Sequence, residues 1–148
     1  MIEIVKGDLF KSGCEALVNT VNCKGVMGKG LALAFKNKYP KMFRAYKHAC
    51  DNGLMKIGCI SQYKDSSGIT IINFPTKDHF RQPSRLEYIK AGLEEFVKCY
   101  QRGVYNFKSI AFPMLGCGLG GLNSDTVLQI MLDYLEPLVD LEIKIYRN

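Results

Sequence analysis

A chain of 148 residues is one domain by length, and long enough to bury a sizeable core. Its 47% hydrophobic and 23% charged residues are the make-up of an ordinary soluble protein. No segment is apolar enough to span a membrane, and the start, MIEIVKGD, has no signal peptide, so a cytoplasmic protein is expected. Twenty basic against fourteen acidic side chains leave +6, which favours an anionic ligand or nucleic acid over an acidic partner, although the basic residues are scattered and a merely soluble surface accounts for the charge as well. The cysteines at 14, 23, 50, 59, 99 and 117 include no C-x-x-C pair, and His48 and His79 are the only histidines. That pattern argues against a metal site and for the free thiols of a reducing cytosol.

In chain order, IEIV opens as a short strand that breaks at Gly7-Asp8, and residues 15–22 (EALVNTVN) form a second strand running from apolar Ala16, Leu17 and Val18 into polar residues. A glycine-rich loop follows, then a helix over 30–38. Pro40 starts another helix, with Met42, Phe43, Tyr46 and Ala49 as its apolar face, and Gly53 ends it. Residues 58–64 and 69–74 pair as strands across the turn DSSG. SRLE at 84–87 reads as a capping box for a helix in which Leu86, Ile89, Leu93, Phe96, Val97 and Tyr100 recur at helical spacing up to Gly103. A buried strand (109–115), a second glycine loop (116–123), a helix from Ser124 to about Leu138 and a strand at 141–146 close a single domain over 1–148.

Strands alternating with helices predict an α/β sandwich with a mixed central sheet flanked by helices. Ligands in such folds sit at the carboxyl ends of the strands, and three unusual loops begin there: after Asn22, after Phe74 and after Leu115. GCGLGG satisfies G-x-G-x-x-G with Gly116, Gly118 and Gly121, but no acidic residue ends the next strand and only one strand remains, which argues against a Rossmann oxidoreductase. GVMGKG (25–30) lacks the spacer and hydroxyl of a P-loop, so nucleoside triphosphate hydrolysis is a poor match. Both loops open a helix with little side chain in the way, which suits the two phosphates of a diphosphate. Asn19 and Asn22 are placed where amides read sugar hydroxyls, or satisfy their own loop. Thr76 and Lys77 follow a buried strand at once; the lysine is a solvated charge, a phosphate clamp or a nucleophile.

VKGDLF, VNTVNCKGVMGKGLALAFK, NFPTKDHFR, GCGLGGL and IKIY together resemble a macrodomain, the ADP-ribose-binding module, over nearly the whole chain. They are most similar to the branch holding the DarG-type antitoxin macrodomains, which release ADP-ribose from thymidine bases of DNA, and the terminal ADP-ribose protein glycohydrolase, which releases it from acidic side chains. The resemblance implies a three-layer sandwich and assigns roles. Asp8, with Leu9 beside it, would bind the adenine amine, and Tyr146 would stack on adenine. Asn22 and the loop Gly25, Val26, Met27, Gly28, Lys29 and Gly30 would hold the distal ribose. Gly116, Cys117, Gly118, Leu119, Gly120 and Gly121 would hold the diphosphate, and Lys77 would be catalytic. Where the protein-directed enzyme has a catalytic aspartate this chain has Gly120, as DarG-type macrodomains do, which points toward DNA.

The implied partners are ADP-ribose, ADP-ribosylated DNA and a cognate ADP-ribosyltransferase toxin, with no cofactor, metal or membrane and a monomeric state. At the glycosidic carbon C1″, Lys77 would form a Schiff base with the opened sugar or assist the departing base, in a site where Asp78 and Asp125 are the nearest acids by sequence. Release of glutamate-linked ADP-ribose, deacetylation of O-acetyl-ADP-ribose and non-catalytic reading of ADP-ribose remain alternatives, as does plain nucleic-acid binding.

Overall fold

The apolar runs of the sequence become the strands of one six-stranded sheet. The computed structural model describes residues 1–148. Strands β1 (Ile2–Val5), β2 (Ala16–Val21), β3 (Ser61–Lys64), β4 (Thr70–Pro75), β5 (Ser109–Pro113) and β6 (Glu142–Tyr146) lie in the order β1-β6-β5-β2-β4-β3. Every neighbouring pair is parallel except the β3–β4 hairpin. All six residues of β4 are buried, and β2 is nearly so. Strands covered on both faces read as continuous apolar runs rather than alternating ones.

Helices α1 (Gly30–Lys38) and α2 (Pro40–Asp51) bury Phe35, Met42 and Tyr46 with Leu17, Ile71 and Ala111 of the sheet. Helices α3 (Leu86–Gln101) and α4 (Ser124–Leu135) bury Ile89, Leu93, Phe96, Val127 and Met131 with Val18, Ile72 and Phe74. Leu17 and Val18, and Ile71 and Ile72, are sequence neighbours that enter different clusters, so the two cores lie on opposite faces of the sheet. The result is the expected three-layer α/β sandwich with a mixed sheet.

Five local features differ from expectation. Ser84 does not cap α3: the helix starts from Arg85 without a side-chain cap, because Ser84 is drawn beneath the second glycine loop, where its N–H donates to Gly120 O at 3.1 Å. Helix α4 stops at Leu135 rather than Leu138, since Pro137 has no N–H to continue the ladder. β3 starts at Ser61, and β5 ends at Pro113. A short 3-10 turn, Leu9–Lys11, capped by Asp8 through Phe10 N at 2.9 Å, was not anticipated.

Candidate functional site

The site begins as a gap in the sheet. β2 and β5 pair only at Ala16–Ile110 and Leu17–Ala111. Beyond those residues no ladder joins them, whereas β2 stays paired with β4 through Val21–Pro75 and β5 with β6 through Pro113–Tyr146. This is the point where the strand order reverses, at which open α/β sheets form a crevice. A cleft of about 760 Å³ opens there, within the usual range for a small-molecule site.

The three loops that leave β2, β4 and β5 meet in this cleft. Asn22, Val26, Gly28, Lys29 and Gly30 line it from the first loop, Thr76 and Lys77 from the second, and Gly116, Gly118, Leu119 and Gly120 from the third. Helix α1 points its N-terminus into the cleft with no side-chain cap, leaving its first N–H groups free for an anion. The glycines divide by what they serve. A Cβ at Gly120 would collide with Ser84 Oγ and the Gly116 carbonyl, and Gly116 and Gly121 have φ of +73° and +78°, so those three are glycine for the fold. Gly118 has neither constraint: a Cβ there meets nothing within 4 Å. Gly28 would meet only Val26 Cγ1, at an ordinary 3.6 Å. Both nevertheless face the cleft, where a missing side chain lets a ligand approach the backbone.

The charge of the lining is one-sided. Lys29, Lys77 and Arg81 contribute three cations, and no carboxylate lines the cleft. Asp125 stands in the first turn of α4 and pairs with Arg147, while Asp78 is exposed beside the cleft but outside its lining. None of the ion pairs of the protein includes Lys77. Its backbone is pinned instead: Cys23 N donates to Asp78 O at 3.1 Å, and Cys23 Sγ lies 3.7 Å from Lys77 O. Burial, then the Asp78 carboxylate, pushes the Cys23 thiol up to about 11, so this cysteine is a neutral tether and no nucleophile at neutral pH.

Asn22 shapes its own loop. Its amide oxygen accepts from Lys24 N at 2.9 Å and from the buried Tyr46 hydroxyl at 3.0 Å, and its Nδ2 donates to Val26 O at 2.7 Å. The single hydroxyl hydrogen of Tyr46 is shared between that amide oxygen and the nearer Asn22 O at 2.7 Å, and burial raises its phenol pKa. The anchor is a residue that helical spacing placed merely on an apolar face.

Several expected residues stand elsewhere. Asn19 lies in the middle of β2, opposite Asn73, fully buried; its Nδ2 donates to Asn73 Oδ1 at 3.2 Å, so it does not reach the cleft. Met27 and Leu9 are core residues, Gly25 packs on α2 with φ +82°, and Cys117 turns back to Leu115 O. Gly121 closes its turn outside the lining. Asp8 and Tyr146 lie outside it too, yet β1 and β6 bring them together at the same edge: Tyr146 is opposite both Val5 and Pro113, and Pro113 lines the cleft. Phe80 and Arg81, which follow Lys77 in the same loop, line the cleft as well, without having been expected there.

A crevice at the switch point, two glycine loops and a family model for the Macro domain matching residues 18–131 agree. The chain belongs to the macrodomain family. Among solved structures, the macrodomain of Mycobacterium tuberculosis DarG superposes with a TM-score of 0.95 at 45% identity, covering 100% of this chain and 98% of that one. Thermosipho africanus DarTG in complex with ADP-ribose gives 0.90 at 35% identity, covering 98% of this macrodomain and 41% of that chain. The DNA ADP-ribosyl glycohydrolase of Mycobacterium tuberculosis is 46% identical over 149 residues, which is 99% of this chain and 42% of that protein. This macrodomain thus spans about two fifths of the length of the curated relatives it matches.

Proposed function

We propose that this macrodomain is an ADP-ribosyl hydrolase that binds ADP-ribose in the cleft and releases it from thymidine bases of DNA. The observation that carries the reading is Gly118, a cleft-lining glycine whose added Cβ would meet nothing in the protein, so that its bare backbone is open to a ligand's diphosphate. The diphosphate would lie between the Gly116–Gly121 loop and the N-terminus of α1, the distal ribose between the Asn22 loop and Lys77, and the adenosine toward Tyr146 and Asp8. Relatives named DNA ADP-ribosyl glycohydrolases, and one joined to a DNA ADP-ribosyl transferase in a single chain, support DNA as the substrate and a transferase as its source.

With no carboxylate in the lining, we assign the proton transfer to Lys77, the amine beside which the distal ribose is placed. As the bond from C1″ to the thymine nitrogen breaks, the ammonium protonates that nitrogen; water adds its oxygen to C1″ and returns a proton to the amine. Lys77→Ala is expected to abolish turnover while ADP-ribose affinity stays within a few-fold, and Lys77→Arg to be nearly as inactive, since arginine keeps the charge but cannot release a proton. Release from a modified thymidine oligonucleotide, followed by chromatography, measures both. Substantial activity in the arginine variant would make Lys77 a clamp. A borohydride-trapped adduct on Lys77 would replace the proton-donor route by a Schiff base.

A further inference from the structure

We infer that Phe80 and Arg81 form a docking wall for a single nucleic-acid strand, the aromatic ring stacking on the base carried by C1″ and the guanidinium holding an adjacent phosphate. The inference rests on the hydrolase reading above and names the class of strand that this site takes. With the distal ribose placed at Lys77, whatever is attached to C1″ leaves the cleft near that residue, and Phe80 and Arg81, which follow it in the same loop, also line the cleft. The Phe80 ring is 38% exposed, although most large apolar side chains of this chain are buried. It is held in place rather than loose. The His79 ring stacks on it at 4.3 Å without lining the cleft, His79 Nδ1 accepts from Arg81 N at 3.1 Å, and Gln82 N donates to His79 O at 3.0 Å.

The guanidinium carbon of Arg81 lies over the Phe80 ring, 5.5 Å from its centre, and Arg81 belongs to no ion pair, so a base that stacks on the ring opposite His79 displaces the guanidinium toward the neighbouring phosphate. An aromatic ring backed by His79 and covered only by an unpaired guanidinium, in a lining with cations and no carboxylate, supplies the two contacts that hold single strands: stacking on a base and charge against phosphate. A glutamate side chain carrying ADP-ribose would offer this wall neither a ring to stack nor a phosphate to hold.

The test uses a single-stranded oligonucleotide with one ADP-ribosylated thymidine, with kcat/KM measured across a salt series and ADP-ribose affinity measured by calorimetry. Phe80→Ala is expected to lower kcat/KM about tenfold, the usual weight of one stacked base, while ADP-ribose affinity changes less than twofold. Phe80→Trp should keep most of the activity. Arg81→Gln should lower kcat/KM several-fold and flatten its dependence on log salt by about 0.7, one phosphate on a single strand. An alanine variant within twofold of wild type on the strand would overturn the stacking role. So would an alanine variant that loses ADP-ribose affinity in proportion, since the ring would then only prop the cleft. An unchanged salt slope in Arg81→Gln would overturn the phosphate contact. A wild-type protein that leaves the modified strand intact would instead overturn the hydrolase reading, and the wall with it, before any variant is made.

Discussion

Replacing Gly120 by alanine adds one methyl group where the loop has no room. The new Cβ would collide with Ser84 Oγ and Gly116 O, and would stand 2.8 Å from the Gly116 carbonyl carbon. Two of these three atoms are backbone, and Gly116 O already accepts from Leu122 N at 3.0 Å, the bond that closes the loop. If the loop holds, overpacking costs about 1–3 kcal/mol and the strained closing bond about 1 kcal/mol more, so roughly 2–4 kcal/mol in all. That is a large share of the roughly 5–15 kcal/mol that keeps a domain folded. If the loop yields, stability is spared but the cradle opens, and ADP-ribose affinity should fall at least tenfold. Urea unfolding and calorimetry on the same sample distinguish these outcomes. Ser84→Ala in the same chain should recover only part of the loss: it removes a hydroxyl that has no partner, but leaves the Gly116 contacts. Wild-type stability together with wild-type affinity in Gly120→Ala would refute the reasoning. The same geometry explains why an aspartate cannot simply be placed at 120 to imitate the protein-directed relative.

Saturating ADP-ribose should raise stability by about 2.7 kcal/mol at a hundredfold excess over Kd, and a thermal melt that does not move would remove the ligand assignment. Gly118→Val should weaken ADP-ribose binding with unfolding unchanged, whereas Gly121→Val should cost about 1–2 kcal/mol of stability because its φ is +78°; denaturant titration of both variants checks the contrast. Cys23 binds its proton more tightly when folded, its value moving from 9.0 to about 11, so between those values the folded state holds more protons than the unfolded one. Stability from this group is therefore complete below pH 9 and falls as pH rises toward 11, with the raised Tyr46 acting in the same direction; unfolding curves from pH 8 to 11 should show the decline.

Apolar runs, turn residues and helical spacing were enough to place the six strands and four α-helices, though not the short 3-10 turn at Leu9–Lys11. These signals were weakest where long-range contacts decide. Ser84 looked like a helix cap until the Gly120 loop claimed its N–H, and no local pattern announces that contact. Asn19 was expected in the site as a residue at the carboxyl end of its strand, but β2 runs on to Val21, and with both faces of β2 covered no alternation showed which way its amide pointed. The three loops of the cleft were legible from their position after strands and from their glycines. Phe80 and Arg81 were not, although NFPTKDHFR contains both: an aromatic beside a cation is common in loops, and only the fold shows that this pair lines the cleft next to Lys77.

The short ladder between β2 and β5 makes the sheet two plates of three strands sewn together by two stitches. One plate carries the Asn22 loop and Lys77, and the other carries the Gly116–Gly121 loop. A molecule that touches both loops is then a brace across the seam as well as a passenger in it. Amide exchange should slow in β2 and β5 together when the cleft fills, and a fragment of the ligand that grips a single plate should fail to produce that joint slowing, however tightly it binds.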